Sequence, residues 1–232
     1  MIKLTLTRTV DESSTIKTFY FAPERSLDHQ TGQFVELYLH HDNTDNKGDH
    51  RWFTLSNSPT ESEVAITVDI PLKPAVTSSF KQALWRLQPG DTALASDPLG
   101  DFVLPLNETI PLIWIAGGIG ITPFRSMATS IVNNGETRHI QLIHSTHSAN
   151  EHIFEEQLLR TPLAGYHHID TSQQPRLSAQ DILSIVRTPT STSAPVFYIA
   201  GAESMVVSLA QDLRKHNIAR ESIITDAFLD YY

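Results

Sequence analysis

Two short stretches of the chain combine residue types that could hold a phosphate-bearing ligand. In "RWFTLSNSP", residues 51–59, Arg51, Phe53 and Thr54 fall at positions i, i+2 and i+3. A guanidinium grips phosphate with its planar fork. An aromatic ring offers a flat apolar surface, and a hydroxyl can reach a ring nitrogen. In a strand, Arg51 and Phe53 project to one face and Thr54 to the other, unless a bend re-aims it. The same string also suits an edge strand with a surface arginine and a core phenylalanine.

In "PLIWIAGGIGITPFRSM", residues 111–127, an apolar run leads into Gly117, Gly118 and Gly120 and then a helix-like pattern. Pro123 stands where the G-x-G-x-x-G dinucleotide fingerprint would need its third glycine. Thr122 suits a helix N-cap, and Pro123 suits the first helical position. Such a turn places backbone N–H groups and the positive end of a helix at the carboxyl end of a buried strand. That setting favours a pyrophosphate or another anion. A tight strand-to-helix connection, with glycines for close packing, is the alternative.

Both stretches need elements to position them. The chain has 232 residues, 40% of them hydrophobic and 19% charged, enough to bury a core. Residues 1–106 read as a β-rich domain. "QFVELYL" sets Phe34, Glu36 and Tyr38 against Val35, Leu37 and Leu39, and "VAITVDI" puts Val64, Ile66, Val68 and Ile70 on one face. One helix is expected at "SSFKQALWRL", with Phe80, Ala83, Leu84 and Leu87 on a shared face. A small antiparallel β-barrel follows from this pattern.

Residues 107–232 alternate strand and helix. "LIWIA" reads as a strand buried on both faces. The next helix carries Phe124, Met127, Ala128, Ile131 and Val132 and ends at Gly135. Strands at "HIQLIHS", "YHHID", "VFYIA" and "SIITDAF" alternate with helices around "EHIFEEQLL", from Ser178, and over Val206, Leu209, Ala210 and Leu213. The expected architecture is a doubly wound parallel sheet. "TPTSTSAP", 188–195, reads as a low-complexity loop.

Composition also excludes. A formal charge of -9 argues against non-specific nucleic-acid binding. The chain has no cysteine, so disulfides, thiolate nucleophiles and Cys-ligated zinc or iron–sulfur clusters are out of reach. No apolar run approaches the ~20 residues of a membrane span. The strand-like start does not suit a signal peptide, so a cytoplasmic location is expected. The pairs His40-His41 and His167-His168 point to opposite strand faces, poor geometry for one metal. No metal site is expected. "HDNTDNKGDH", 41–50, reads as a solvated hairpin loop.

Taken in order, these strings resemble the ferredoxin-NADP reductase family of flavoproteins. "RWFTLS" is similar to the family's R-x-[YF]-[ST] motif and "VTSSFKQAL" to its pyrophosphate-contacting helix start. "DPLGDFVLP" resembles the G-x-x-G-x-F segment, with Asp97 for the first glycine. "AGGIGITPFRSM" resembles the G-G-x-G-[IL]-[ST]-P nucleotide turn, "YIAGAESMV" the C-G-P-x-x-M segment and "TDAFLDYY" the terminal E-x-F-x-G-Y. The resemblance implies an N-terminal Greek-key barrel for FAD and a C-terminal domain for the nicotinamide nucleotide.

It also implies roles. Arg51 would contact FAD phosphate, Phe53 would lie against the isoalloxazine, and Thr54 would bond near flavin N5. Thr77, Ser78 and Ser79 would bind the pyrophosphate. Gly117, Gly118, Gly120 and Thr122 would line the nicotinamide nucleotide passage, with Ala200 and Gly201 beside it. Phe228 would cover the other flavin face. Ala200 stands in place of the family's cysteine, Asp226 in place of its glutamate, and Asp230 in place of the glycine before Tyr231, while Tyr232 is an additional aromatic. Which terminal aromatic covers the flavin stays open. After the domain's second strand, "HSTHSANE" keeps Ser145 but has His147 where NADPH-dependent relatives carry arginine, which favours NADH.

The implied activity is hydride transfer from NAD(P)H to FAD, then electron delivery to a separate acceptor such as an iron–sulfur protein or flavodoxin. Two alternatives remain: an NAD(P)H:flavin reductase that takes free flavin as substrate, and an electron-transfer subunit without its own NAD(P)H activity. The 41–50 loop could shield the adenine end of FAD.

Overall fold

The computed structural model describes residues 1–42, 44–46, 48–70, 77–148, 151–186 and 193–228. Asp230, Tyr231, Tyr232 and residues 188–192 of the low-complexity loop lie outside them. The chain divides into two compact units, Met1–Val103 and a second that begins at Leu104.

The first unit holds β1 (Ile2–Asp11), β2 (Ile16–Pro23), β3 (Phe34–Tyr38), β4 (His50–Thr54), β5 (Val64–Asp69), helix α1 (Ser79–Arg86) and β6 (Thr92–Ala95). The sheet order is β4-β3-β6-β1-β2-β5, antiparallel throughout. A bridge between Leu55 and Ile66, with Ser56 N–H donating to the Ala65 carbonyl, joins the two edge strands and closes the sheet. Period-two alternation in β3 puts Val35 and Leu37 wholly inside. Helix α1 turns Phe80 and Leu84 into the same core. Burying one such side chain is worth about 1.5–3 kcal/mol.

The second unit contains β7 (Leu112–Gly117), α2 (Thr122–Asn134), β8 (Ile140–Thr146), α3 (Glu155–Leu159), β9 (Leu163–Asp170), α4 (Ala179–Ile185), β10 (Val196–Ala202), α5 (Glu203–Lys215) and β11 (Ile223–Phe228). Its parallel sheet runs β11-β10-β7-β8-β9. The strand order therefore reverses between β7 and β10. Crevices beyond the carboxyl ends at such a reversal are where open α/β sheets bind ligands. Ser178 caps α4 in a reciprocal box with Asp181, and Gly135 ends α2 in the left-handed region at φ 67°.

Three local expectations change. Val132 lies 42% exposed, off the buried stripe of α2. Helix α3 shrinks to five residues because Phe154 before it adopts φ 65°, which a helix cannot contain. Thr122 does not cap: a turn of 3-10 helix over Gly118–Ile121 precedes α2, and its hydroxyl instead donates to the Ile119 carbonyl at 3.1 Å. No helix among the described residues is long and apolar enough to cross a membrane.

Candidate functional site: an anion seat and a glycine turn

Strand β4 delivers Arg51 and Phe53 to one face, as its pleat dictates. Both meet Phe80 of α1: the rings of Phe53 and Phe80 stack with centroids 5.9 Å apart, and the Arg51 guanidinium lies 5.3 Å from the Phe80 centroid. Arg51 is only 3% exposed. Its Nη1 donates to the carbonyls of Gly48 at 3.2 Å and His50 at 2.5 Å, which lock the side chain in place. Thr54, on the alternate position, is buried opposite Phe34.

The start of α1 is engaged from within the chain. Ser78 is the N-cap, its hydroxyl accepting the Lys81 N–H at 3.3 Å, and the Thr77 carbonyl accepts Gln82 Nε2 at 2.9 Å. Ser79 N–H donates to Asp45 Oδ2 at 2.9 Å, and Ser79 Oγ accepts Asp45 N–H at 3.0 Å. Nε2 of His41 lies 2.9 Å from the same Ser79 oxygen. The other Asp45 oxygen stands 3.6 Å from Arg51 Nη2. A carboxylate thus sits between a buried guanidinium and a helix N-terminus, the donors a phosphate would use. The donor set fits a pyrophosphate chemically, and the Asp45 carboxylate meets it from within the chain.

Asp45, in a stretch read from sequence as a solvated loop, is therefore held against the start of α1. No spacing rule announces this contact, because residues 45 and 79 meet only through the fold.

In the second unit, the glycine turn leaves β7 at the strand-order reversal. A Cβ on Gly120 would strike the Ala200 carbonyl oxygen and approach Gly201 Cα to 2.7 Å. Only glycine lets the turn pack against the end of β10. Gly118 differs: it takes φ +51°, and a Cβ there would meet nothing within 4 Å. It faces open space at the helix entry. A Cβ on Gly117 would collide with the Met205 side chain. Thr122 is buried, its hydroxyl already committed to Ile119.

Ala200 is fully buried and pairs with Ala116 on one side and Asp226 on the other. Phe228 ends β11 opposite Ala202, half-buried. Ala200 and Asp226, which stand where the family pattern has cysteine and glutamate, are thus neighbours in register.

A cluster of imidazoles lies behind the turn. His144, on β8, is buried, with Nε2 3.0 Å from the Gly118 carbonyl oxygen. It faces His168 across the β8–β9 register and stacks on His152 at 5.2 Å. His168 Nε2 meets the Thr146 hydroxyl at 2.8 Å. Burial pushes the His144 pKa down to about 3. It also lowers those of His152 and His168, with charge repulsion from His168 adding to the effect at His152. Spacing along the chain gives no sign of this trio: His144 and His168 meet through the β8–β9 register, and His152 joins them from the connection before α3. Among the described residues no group of His, Asp or Glu is arranged to hold a metal.

Residues 114–211, within the second unit, match the family model described as the oxidoreductase NAD-binding domain. The fold across the chain is that of the ferredoxin-NADP reductase family of flavoprotein reductases. It superposes with a TM-score of 0.80 on the flavohem-like FAD/NAD-binding domain of nitric oxide dioxygenase from Vibrio cholerae, at 18% identity and 98% of each chain. Ferredoxin-NADP+ reductase from Plasmodium falciparum gives 0.80 at 12% identity, over 97% of this chain and 95% of that one. In sequence, the chain is 26% identical to flavohemoprotein A of Dictyostelium discoideum over 95% of its own length. That alignment spans 58% of the Dictyostelium protein, so the chain corresponds to little more than half of it.

Proposed function

We propose that this chain is an NAD(P)H-dependent flavin oxidoreductase that passes electrons to a separate redox acceptor. The observation that supports it most is the glycine turn at the strand-order reversal, inside the matched oxidoreductase domain. FAD, when bound, would supply the hydride acceptor and the means to release electrons onward. Arg51 and the Ser79 N–H would hold its pyrophosphate, Phe53 would flank its ring, and Thr54 would support the ring nitrogen. Gly117, Gly118 and Gly120 would admit the nicotinamide nucleotide, with Ala200, Gly201 and Thr122 shaping the turn and Asp226 and Phe228 at the nicotinamide end. The reaction asks positioning of these residues rather than proton transfer.

NADH is the proposed donor. The Glu151 carboxylate accepts the backbone N–H of His147 at 3.1 Å and lies 3.4 Å from the Ser148 hydroxyl. An acidic side chain here, with histidine in place of arginine, disfavours a 2′-phosphate.

One observation favours the second reading, in which flavin is a substrate. Asp45 already fills the anion seat, which would weaken retention of any flavin with a pyrophosphate. Purification decides: a yellow protein with stoichiometric FAD supports the prosthetic version. A colourless protein that oxidises NADH only when flavin is added supports the substrate version and excludes the first.

A further inference from the structure

His144 is a buried titratable group with no part in the chemistry above. Its Nε2 faces a carbonyl oxygen, so Nε2 carries the proton and donates it, and Nδ1 carries the lone pair. Nδ1 is buried and has no hydrogen-bond partner among the described residues. A leucine would fill that volume without leaving an unsatisfied nitrogen, so the Nε2 contact is the reason for an imidazole here.

That contact falls on a hinge. In a trans peptide the carbonyl and the following N–H point to opposite edges of one plane, and no peptide bond here is cis. Holding the Gly118 carbonyl toward His144 therefore turns the Ile119 N–H away from it. That N–H belongs to the first turn of the helix entry, where backbone donors lack helical partners. Gly118, at φ +51° with open space beside it, has the freedom to let this peptide rotate. Gly120 is wedged against Ala200 and cannot compensate.

We infer that His144 is a positioning residue for the nicotinamide nucleotide, latching the Gly118–Ile119 peptide with its N–H toward the ligand. This rests on the nucleotide reading of the glycine turn. The latch acts on binding, not on the reacting atoms, so its loss changes KM and spares kcat.

The test uses the full chain with saturating flavin, NADH as donor and ferricyanide as artificial acceptor. His144→Leu is expected to raise KM for NADH about tenfold, the worth of one hydrogen bond, with kcat unchanged. His144→Gln carries an amide nitrogen at the reach of Nε2 and is expected to restore KM. His144→Asn, too short to reach Gly118, is expected to behave as Leu does and serves if the Leu variant does not fold. An unchanged KM in the Leu or Asn variant overturns the latch while leaving the reductase reading intact. So does an equal loss in Gln and Leu. A wild-type protein that oxidises neither NADH nor NADPH overturns both.

Discussion

Asp45 and Ser79 hold each other through both backbone amides, the Ser79 N–H on the Asp45 carboxylate and the Asp45 N–H on the Ser79 hydroxyl. The pair places a negative charge where the flavin pyrophosphate is proposed to sit, so the two anions compete for one N–H. Asp45→Asn keeps the shape and removes the charge. FAD should bind about tenfold tighter to this variant, an effect of ~1.4 kcal/mol, while riboflavin, which has no phosphate, should be unaffected. Arg51→Ala should act oppositely, weakening FAD by about 2 kcal/mol. Titration of apoprotein with both flavins reads all three effects. FAD binding that weakens in Asp45→Asn would show that the carboxylate organises the seat instead of competing for it.

Gly120→Ala should abolish NAD(P)H oxidation without loss of flavin. The added Cβ runs into the Ala200 carbonyl, backbone that cannot move aside as a flexible side-chain end would. Turnover with NADH, beside flavin content of the same preparation, checks this. A variant with wild-type KM and kcat would remove the turn from the nucleotide site.

Acid should destabilise the second unit well before its carboxylates titrate. In the unfolded chain a histidine takes up a proton below about pH 6.5, whereas buried His144 resists until about 3. The unfolded state therefore binds more protons in this window, and stability falls as pH drops through it. The slope from His144 alone reaches about 1.4 kcal/mol per pH unit. His152 and His168, whose pKa values are also lowered, add in the same direction. Urea unfolding between pH 7 and pH 4 should show this slope, and His144→Gln should flatten it. An identical slope in the variant would place the acid sensitivity elsewhere.

Much of the architecture was legible because it is local. Alternation in β3 and β5, the helix start at Ser178 and the Gly135 stop each depend on residues close in sequence. The glycine string likewise announced a turn after a buried strand. What escaped was assembled at long range. Asp45 reaches the start of α1 across 34 positions, and His144 meets Gly118 across 26. Thr122 departs from its expected capping role for a subtler reason: a 3-10 turn ahead of α2 occupies the helix entry, and its hydroxyl bonds the Ile119 carbonyl instead.

The most direct test of the reductase account is anaerobic mixing of the flavin-loaded protein with NADH, and separately with NADPH, while flavin absorbance is followed. Rapid bleaching by NADH and slower or weaker bleaching by NADPH is the expected result. Flavin that binds yet stays oxidised with both nucleotides would contradict the account and leave an electron-transfer protein that takes no hydride of its own.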